Sequence, residues 1–560
     1  MLPLLTNLDT TGEAMDQLTD RATRRGAEEV VQFFADTGQT HVFGLPGSSM
    51  VSLLHALQSA EVSYVPAVHE SVAIAMADGY ARITGLGSAL IYMLPGTANA
   101  VGNLYNAWRD ESPLLVLASQ QATRFRTGDA TIGEANLVDL VGCYTRFASE
   151  VNAGAPIRAR LEAARRAAQG PPSGPAFLSL PEDVLEDDGP AVEERRSRRV
   201  AGGPPDVSVV VSQLLTAESP LVVVGGQLRR FGGANAIERL AAELALPVVY
   251  ETAFNDRLSI GPGHPNCLGR LGDATGAHLE TGADAVIAVG CRHVLEAHPR
   301  AKPWFANASF VAHVNADAAK LEETAPTDWS CACDPAQFVN AVREAVLASP
   351  IDLALLQRRQ RRLDDARRSK IARRRTPYSD GAAALSDALD RGWVIDESVT
   401  ASGEVTDALS SEDGTRFMSS TGASLGWATG AACGAAVASS EPVTCVLGDG
   451  SLLFGVQGLW TARACDLPIT FVVFDNGGYG STRRFERQYV DRLPAGSRPA
   501  GYLGSDHRPF GLSPADVIRG FGIPCQSIKS GEDIRAAIDE AWATIENGPN
   551  AVVIDTPVTG

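Results

Sequence analysis

No apolar run in this 560-residue chain reaches the roughly 18 residues that a membrane span requires. Cationic charge is scarce as well. The chain has 48 Lys and Arg against 66 Asp and Glu, a formal net charge of −18. That balance argues against nucleic acid or an anionic membrane as a partner surface. Cysteine is thin and scattered. Of nine cysteines only Cys331 and Cys333 stand close together, and no second cluster completes a zinc site, so free thiols are expected. There is no short-period repeat and no low-complexity segment. The first residues, MLPLLTNLDTTGEAMDQLTD, are too acidic and too weakly apolar for a secretory signal. Residues 1–23 therefore read as an N-terminal arm, and the protein as cytoplasmic.

The composition that remains is ordinary for a globular protein, 45% hydrophobic and 20% charged. Strand-like and helix-like stretches alternate throughout, which predicts α/β architecture with parallel sheets. The first block, residues 24–190, has strand candidates at His41–Phe43, Ser63–Val65, Ser88–Tyr92, Leu114–Ala118 and Ala176–Ser179. Helical stretches between them include Val72–Arg82 and Thr97–Trp108. The polar segment Leu185–Asp206 reads as a linker. The middle block, residues 207–350, carries PLVVV, LPVVYE, ADAVIAVG and SFVAHVNAD. A basic helical run, Leu356–Arg375, follows and is expected to span two domains. The third block, residues 376–560, carries WVIDE, PVTCVLGD, PITFVVFDN, CQSI and NAVVIDTP. Three doubly wound parallel-sheet domains result, two similar ones flanking a smaller third.

Two features carry chemistry. In VPAVHESVAIAMADGYAR, Glu70 places a carboxylate where an apolar strand gives way to an Ala-rich helix. Alone, it reads as a helix-start residue stabilised by the helix dipole. The second feature is VTCVLGDGSLLFGVQGLWTARACDLPITFVVFDNGGYGS, Val443–Ser481. Two buried strands each end in a hard oxygen ligand, Asp449 and Asn476, 27 positions apart with one helix, Val456–Cys465, between them. Carboxyl ends of parallel strands are where open α/β sheets bind ligands. A carboxylate, an amide oxygen and a backbone carbonyl suit Mg²⁺, with diphosphate oxygens completing the shell. Gly448, Gly450, Gly477 and Gly478 let the backbone approach phosphates.

GDGS…DNGGYG resembles the thiamine diphosphate-binding motif, with Asp475-Asn476 in place of the family's Asn-Asn. FGLPGSSM, the His69-Glu70 pair, ADGYAR, GTANAVGNLYNAW, ESPLLVLASQQ and STGASLGWATGAACGAA extend the likeness from about Arg24 to the C-terminus. They resemble the thiamine diphosphate-dependent 2-oxo acid decarboxylases and acetohydroxyacid synthases, benzoylformate decarboxylase most of all. The resemblance implies a pyrimidine-binding, a central and a diphosphate-binding domain. It implies sites shared between subunits, hence a homo-oligomer that is at least a dimer and usually a tetramer. It implies Asp449, Asn476 and the Gly478 carbonyl as Mg²⁺ ligands. Thr400, Gly448, Gly450, Ser451 and Tyr479 would line the diphosphate. Leu425 would wedge the cofactor into its V shape, and the Ala423 carbonyl would accept from the 4′-amino group. Glu70 would hydrogen-bond N1′ of the aminopyrimidine, so that N4′ takes the C2 proton. That role needs a carboxyl in a dry site with a raised pKa. His69 reads as structural.

By the same resemblance the partner is a small-molecule 2-oxo acid. After CO₂ is lost, the product carbon is protonated to an aldehyde or joined to a second carbonyl. Ser48, in the PGS turn, matches the pocket serine, with Ser49 as a near competitor. Leu94, Ser481, Thr482 and Phe485 would face the substrate. His298, with His293 as the alternative, would supply the second pocket histidine, and His507 could come from a mobile lid. The loop Tyr92–Thr97 holds no histidine, unlike benzoylformate decarboxylase, and resembles the acetohydroxyacid synthase loop instead. Arg483 and Arg484 could pair with a carboxylate but read first as surface residues. VVVGGQLRRFGG lacks G-x-G-x-x-G, so FAD is not expected, and a flavin-dependent oxidase of the same architecture stays as an alternative.

Overall fold

The computed structural model describes residues 23–557 apart from 126–131, 133–136, 191–204, 253–254, 273–278, 280–281, 293–303, 306, 324–326, 372–375, 495–502 and 530–532. Two compact units emerge. One comprises the described residues of Met1–Ser197, Ser420–Lys529 and Asp539–Asp555; the other, those of Arg198–Ser419, Ser530–Ile538 and Thr556–Gly560.

The first sheet of the first unit has six parallel strands: β1 (His41–Gly44), β2 (Ser63–Pro66), β3 (Gly87–Tyr92), β4 (Leu114–Gln120), β5 (Phe147–Glu150) and β6 (Ala176–Pro181). Their order is β2-β1-β3-β4-β6-β5. All seven residues of β4 are buried, as expected for a central strand covered on both faces. Helix α1 (Glu70–Thr84) follows β2, and α2 (Met93–Arg109) follows β3. α2 starts four residues before the expected Thr97, because Pro95 falls in its first turn, where a missing N–H costs nothing. The loop expected at Tyr92–Thr97 is therefore the opening of a helix. β5 was not expected: its four residues are only half-buried and carry no apolar run.

The second unit holds the middle sheet: β7 (Pro220–Val224), β8 (Val248–Tyr250), β9 (Cys267–Arg270), β10 (Ala285–Val289), β11 (Phe310–Asn315) and β12 (Trp329–Ala332), ordered β9-β8-β7-β10-β11-β12 and parallel. The basic run forms α3 (Leu353–Ile371). It was expected to span two domains; instead it lies on this unit's own core. Leu363 joins the cluster of Leu221, Val223, Val249 and Val286. Arg359, 3% exposed, donates to the Ala217 and Leu214 carbonyls, satisfying the end of the Ser208–Thr216 helix. Two further strands of this unit, β13 (Trp393–Glu397) and β14 (Phe417–Met418), pair in parallel.

The third block's elements within the first unit include α4 (Ala428–Ser439), β15 (Val443–Gly448), α5 (Asp449–Phe454), α6 (Gln457–Ala464), β16 (Ile469–Asp475), α7 (Gly480–Val490), β17 (Cys525–Ile528) and β18 (Asn550–Asp555). Parallel pairing gives the order β15-β16-β18-β17. Two helices replace the single one expected between β15 and β16, divided at Gly455. A Cβ there would press into the Gly426 backbone at 2.8 Å and the Thr429 hydroxyl at 2.6 Å.

α1 and α4 cross backbone to backbone. A Cβ on Gly79 would lie 2.2 Å from the Ala431 carbonyl oxygen, and one on Gly434 2.0 Å from that of Met76. Beside this contact sits a fully paired polar cluster. Arg82 donates twice to Asp78, at 2.8 Å each, and once to Asp110 at 2.7 Å. Its guanidinium lies 4.7 Å from the Trp427 ring centre, and Trp427 Nε1 donates to Asp78 at 2.6 Å.

Candidate functional site

The strand ends of the first unit gather the expected metal ligands. Asp449 opens α5 directly after β15, and Asn476 follows β16; neighbouring strands in register bring the two turns together. Asp449 is 2% exposed and Asn476 6%. Burial pushes the Asp449 carboxyl up to about 7, and the nearby Asp475 carboxylate adds to that, against the Gly450 and Gly478 N–H groups that favour its charge. Asp475 is itself raised, by burial first, although its Oδ1 accepts from Gly477 N at 3.0 Å. Two acidic side chains thus lie close together in a largely buried place, each raised first by burial.

Gly478 has φ +144°, and a Cβ there would stand 2.3 Å from the Ser505 carbonyl oxygen and 2.7 Å from Arg483 NH2. The crowding comes from a strand-like fold-back. Gly478 bridges Asp506, Tyr479 N donates to Ser505 O at 3.0 Å, and His507 N donates to Gly477 O at 2.8 Å. Among the described residues, no group of three or more His, Cys, Asp or Glu side chains could hold a metal. The donor set is instead mixed, one carboxylate with an amide and a backbone carbonyl, which suits a hard divalent cation. The oxygen chemistry of Asp449, Asn476 and the Gly478 carbonyl fits Mg²⁺.

Two residues expected elsewhere belong to this place. His507, expected on a mobile lid, stands 3.7 Å from Asp449 Oδ2 through Nδ1, with its ring edge-on to Tyr479 at 4.7 Å. Arg483, expected at the surface, is 1% exposed and donates to the Asn476 carbonyl at 3.1 Å and its Oδ1 at 3.3 Å. Sequence hydrophilicity misplaced it: a guanidinium is buried where several oxygens converge. Arg484 is exposed and lies over the Phe485 ring at 5.1 Å. Ser481 and Phe485 share a face of α7, one turn apart, while Thr482 is exposed.

Glu70 is the first residue of α1, half-buried, and His69 caps the helix by accepting from Ser71 N at 3.2 Å. Asn99 of α2 donates to Glu70 Oε2 at 3.2 Å. Gly96 leaves room for the carboxylate, since a Cβ there would sit 2.7 Å from Oε1. Asn99, Asn103 and Asn106 were not singled out beforehand. Their spacing, i, i+4, i+7 along one face of a partly buried helix, was the signal that could have found them.

Ala423 has φ +56° and is exposed, and Leu425 is half-buried. Ser451 is buried in α5, Gly448 precedes that helix, and a Cβ on Gly450 would meet the Tyr479 ring at 2.9 Å. Ser48 bonds the Tyr92 hydroxyl at 3.0 Å, whereas Ser49 is buried against Ser119 at 2.8 Å. Leu94 is half-buried in the first turn of α2. Thr400 lies in the second unit after β13 and is described only there. His298 and His293 lie outside the described residues.

In the middle sheet, Gly225 and Gly226 serve tight packing. A Cβ on Gly226 would lie 1.8 Å from Asp256 Oδ1. Gln227 follows them, donating to Asn315 at 2.9 Å and accepting from Ala316 N at 3.0 Å.

The chain matches the N-terminal TPP-binding domain of thiamine pyrophosphate enzymes over residues 24–140, their central domain over 207–342 and their C-terminal TPP-binding domain over 400–556. It belongs to that family, thiamine pyrophosphate and thiamine diphosphate being one compound. A Mycobacterium tuberculosis protein provisionally named acetolactate synthase large subunit IlvX is 29% identical over 95% of this chain and 99% of its own. Benzoylformate decarboxylase of Pseudomonas aeruginosa is 26% identical over 93% and 96%. Acetolactate synthase isozyme 3 large subunit of Escherichia coli is 27% identical over 96% and 95%. The solved 4-hydroxybenzoylformate decarboxylase of Rhodococcus jostii RHA1 shares the fold, with a TM-score of 0.81 at 22% identity over 95% of this chain and 99% of that one.

Proposed function

We propose that this chain catalyses thiamine diphosphate- and Mg²⁺-dependent decarboxylation of a 2-oxo acid. The observation that carries the reading is the buried Asp449 carboxyl, held near Asn476 at the ends of adjacent strands in register. Asp449, Asn476 and the Gly478 carbonyl would hold the metal, and Gly448, Gly450, Ser451, Tyr479 and Thr400 would be the residues for the diphosphate. Thiamine diphosphate supplies an acidic C2 carbon and an electron sink that accepts the pair left by CO₂. The chain supplies the rest. Glu70 would hold a proton at the N1′ position, with Asn99 donating to its carboxylate and Gly96 leaving room for it. The Ala423 carbonyl would accept from the 4′-amino group, and Leu425 would pack against the cofactor. Ser48, Leu94, Ser481, Thr482 and Phe485 shape the substrate pocket, and His298 is the acid assigned to it.

A second outcome, ligation to another carbonyl, has its own support. The first turn of α2, Met93–Gly96, offers no side-chain proton donor, so slow protonation of the product carbon leaves time for a second carbonyl to react. A flavin-dependent oxidase is the remaining alternative, and a flavin absorbance band in the purified protein would favour it. The reading carries with it a cytoplasmic homo-oligomer, a dimer at least, whose sites join two subunits. Among the described residues, no helix is long and apolar enough to cross a membrane.

The test is a panel of pyruvate, benzoylformate, branched 2-oxo acids and phosphonopyruvate, with thiamine diphosphate and Mg²⁺. CO₂ release and product mass are read together. CO₂ with an aldehyde supports decarboxylation; CO₂ with a hydroxyketone supports ligation; no CO₂ from any member counts against both.

A further inference from the structure

Helix α2 carries a polar stripe whose far end grips a strained turn. Asn103 Nδ2 donates to the Ser71 carbonyl and hydroxyl at 2.9 Å each, just after Glu70. Asn106 Nδ2 donates to Asn103 Oδ1 and to the Ser424 carbonyl, both at 2.8 Å. Asn106 Oδ1 in turn accepts from Ser424 N at 3.0 Å. Its carboxamide thus pairs with both backbone groups of one residue, as a neighbouring strand would. Asp110, one turn further, accepts from Thr421 N at 2.9 Å and the Ser420 hydroxyl at 2.8 Å. Asn106 is fully buried, and Gly422 passes so close that a Cβ would lie 2.3 Å from Asn106 Oδ1.

Between these two clamps sits Ala423 at φ +56°. An L-residue with a Cβ adopts that conformation only when its surroundings impose it. Ala423 is exposed, so no packing on its own side chain does so. The Asn106–Ser424 pairing immediately beyond it does.

We propose that Asn106 is a positioning residue that holds Ala423 left-handed, and so aims the Ala423 carbonyl at the 4′-amino group of the aminopyrimidine. This rests on the proposed reading in which that carbonyl is the acceptor. It adds a residue from the N-terminal block to the setting of a cofactor contact made by the C-terminal block.

The full-length protein with Mg²⁺ is titrated with thiamine diphosphate and with its analogue lacking the 4′-amino group. Wild type should bind thiamine diphosphate about tenfold more tightly than the analogue, the worth of one hydrogen bond in a partly dry site. Asn106→Ala should bring that preference to within about threefold while leaving analogue affinity within about twofold. Adding Ala423→Gly should recover at least about threefold of the preference, because glycine takes a positive φ without penalty. Equal weakening of both ligands in Asn106→Ala would show a merely structural role and overturn the inference, as would an unchanged preference or failure of Ala423→Gly to recover it. Wild type binding both ligands equally overturns the Ala423 contact and the inference together, while binding neither overturns the proposed function itself. If Asn106→Ala does not fold, Asn106→Asp, which keeps the acceptor and loses the donor, is judged by the same criteria.

Discussion

Gly96→Ala separates folding from function at Glu70. The added methyl would lie 2.7 Å from Glu70 Oε1 and 3.1 Å from its Cδ and Cγ. Relaxed contacts of this kind need about 3.5 Å, so the carboxylate must yield by roughly 0.8 Å. The yielding group is the end of a flexible, half-buried side chain, so the fold is not forced to move. Gly96 also lies within α2 at an ordinary helical φ, where Gly→Ala is worth about 0.5–1 kcal/mol of helix stability. Displacements near 1 Å in a catalytic constellation cost on the order of a hundredfold. Gly96→Ala is therefore expected to keep or slightly raise the melting temperature while lowering turnover by about 10- to 100-fold. CO₂ release at saturating thiamine diphosphate and a thermal melt of the same preparation measure both. Full activity in a folded variant would refute the placement of Glu70; a large drop in melting temperature would show that Gly96 is packed against something less yielding.

Asp449→Ala is expected to lose Mg²⁺-dependent binding of thiamine diphosphate, and undiminished affinity by calorimetry would count against the metal assignment. Arg82→Met leaves Asp78 and Asp110 buried without their cation, so about 3–5 kcal/mol of stability should go, read by denaturant unfolding; a loss under about 1 kcal/mol would mean the cluster is not a buried ion pair. Burial raises the carboxyl of Asp396, whose Oδ2 is buried without a hydrogen-bond partner, although Ser398 opposes the shift by donating to Oδ1. A carboxyl that titrates higher folded than unfolded gives its stability below the unfolded value and loses it as pH rises through the folded one. Asp396→Asn should therefore gain melting temperature relative to wild type as pH rises above the ordinary carboxylate range of about 4, and a difference that stays constant with pH would argue against the shift.

The parts of this fold legible in the sequence are those fixed by local pattern. β4 and β16 carry the buried apolar runs LLVLA and FVVF, and the glycines around Asp449 and Asn476 mark turns that only small residues fill. What escaped is set by partners far along the chain. β5 is short and half-buried and β12 is short with every second residue exposed, so their composition carries little strand signal. Arg483 reads as solvated because nothing in its neighbours shows that Asn476 turns two oxygens toward it. His507 reaches Asp449 only because residues 505–507 pair with the glycine turn. Asn106 meets Ser424 across 318 positions, a contact with no local trace except the asparagine spacing on α2.

The central claim is that Glu70 activates the cofactor. Exchange of the thiamine diphosphate C2 proton, followed by proton NMR after rapid mixing with deuterated water, tests it most directly. With Mg²⁺ and wild-type protein the exchange should be fast. In Glu70→Gln, with cofactor still bound, it should slow by at least about a hundredfold, the lower range for losing a positioned proton-transfer group. An unchanged exchange rate in that variant, at matched cofactor occupancy, would contradict the account.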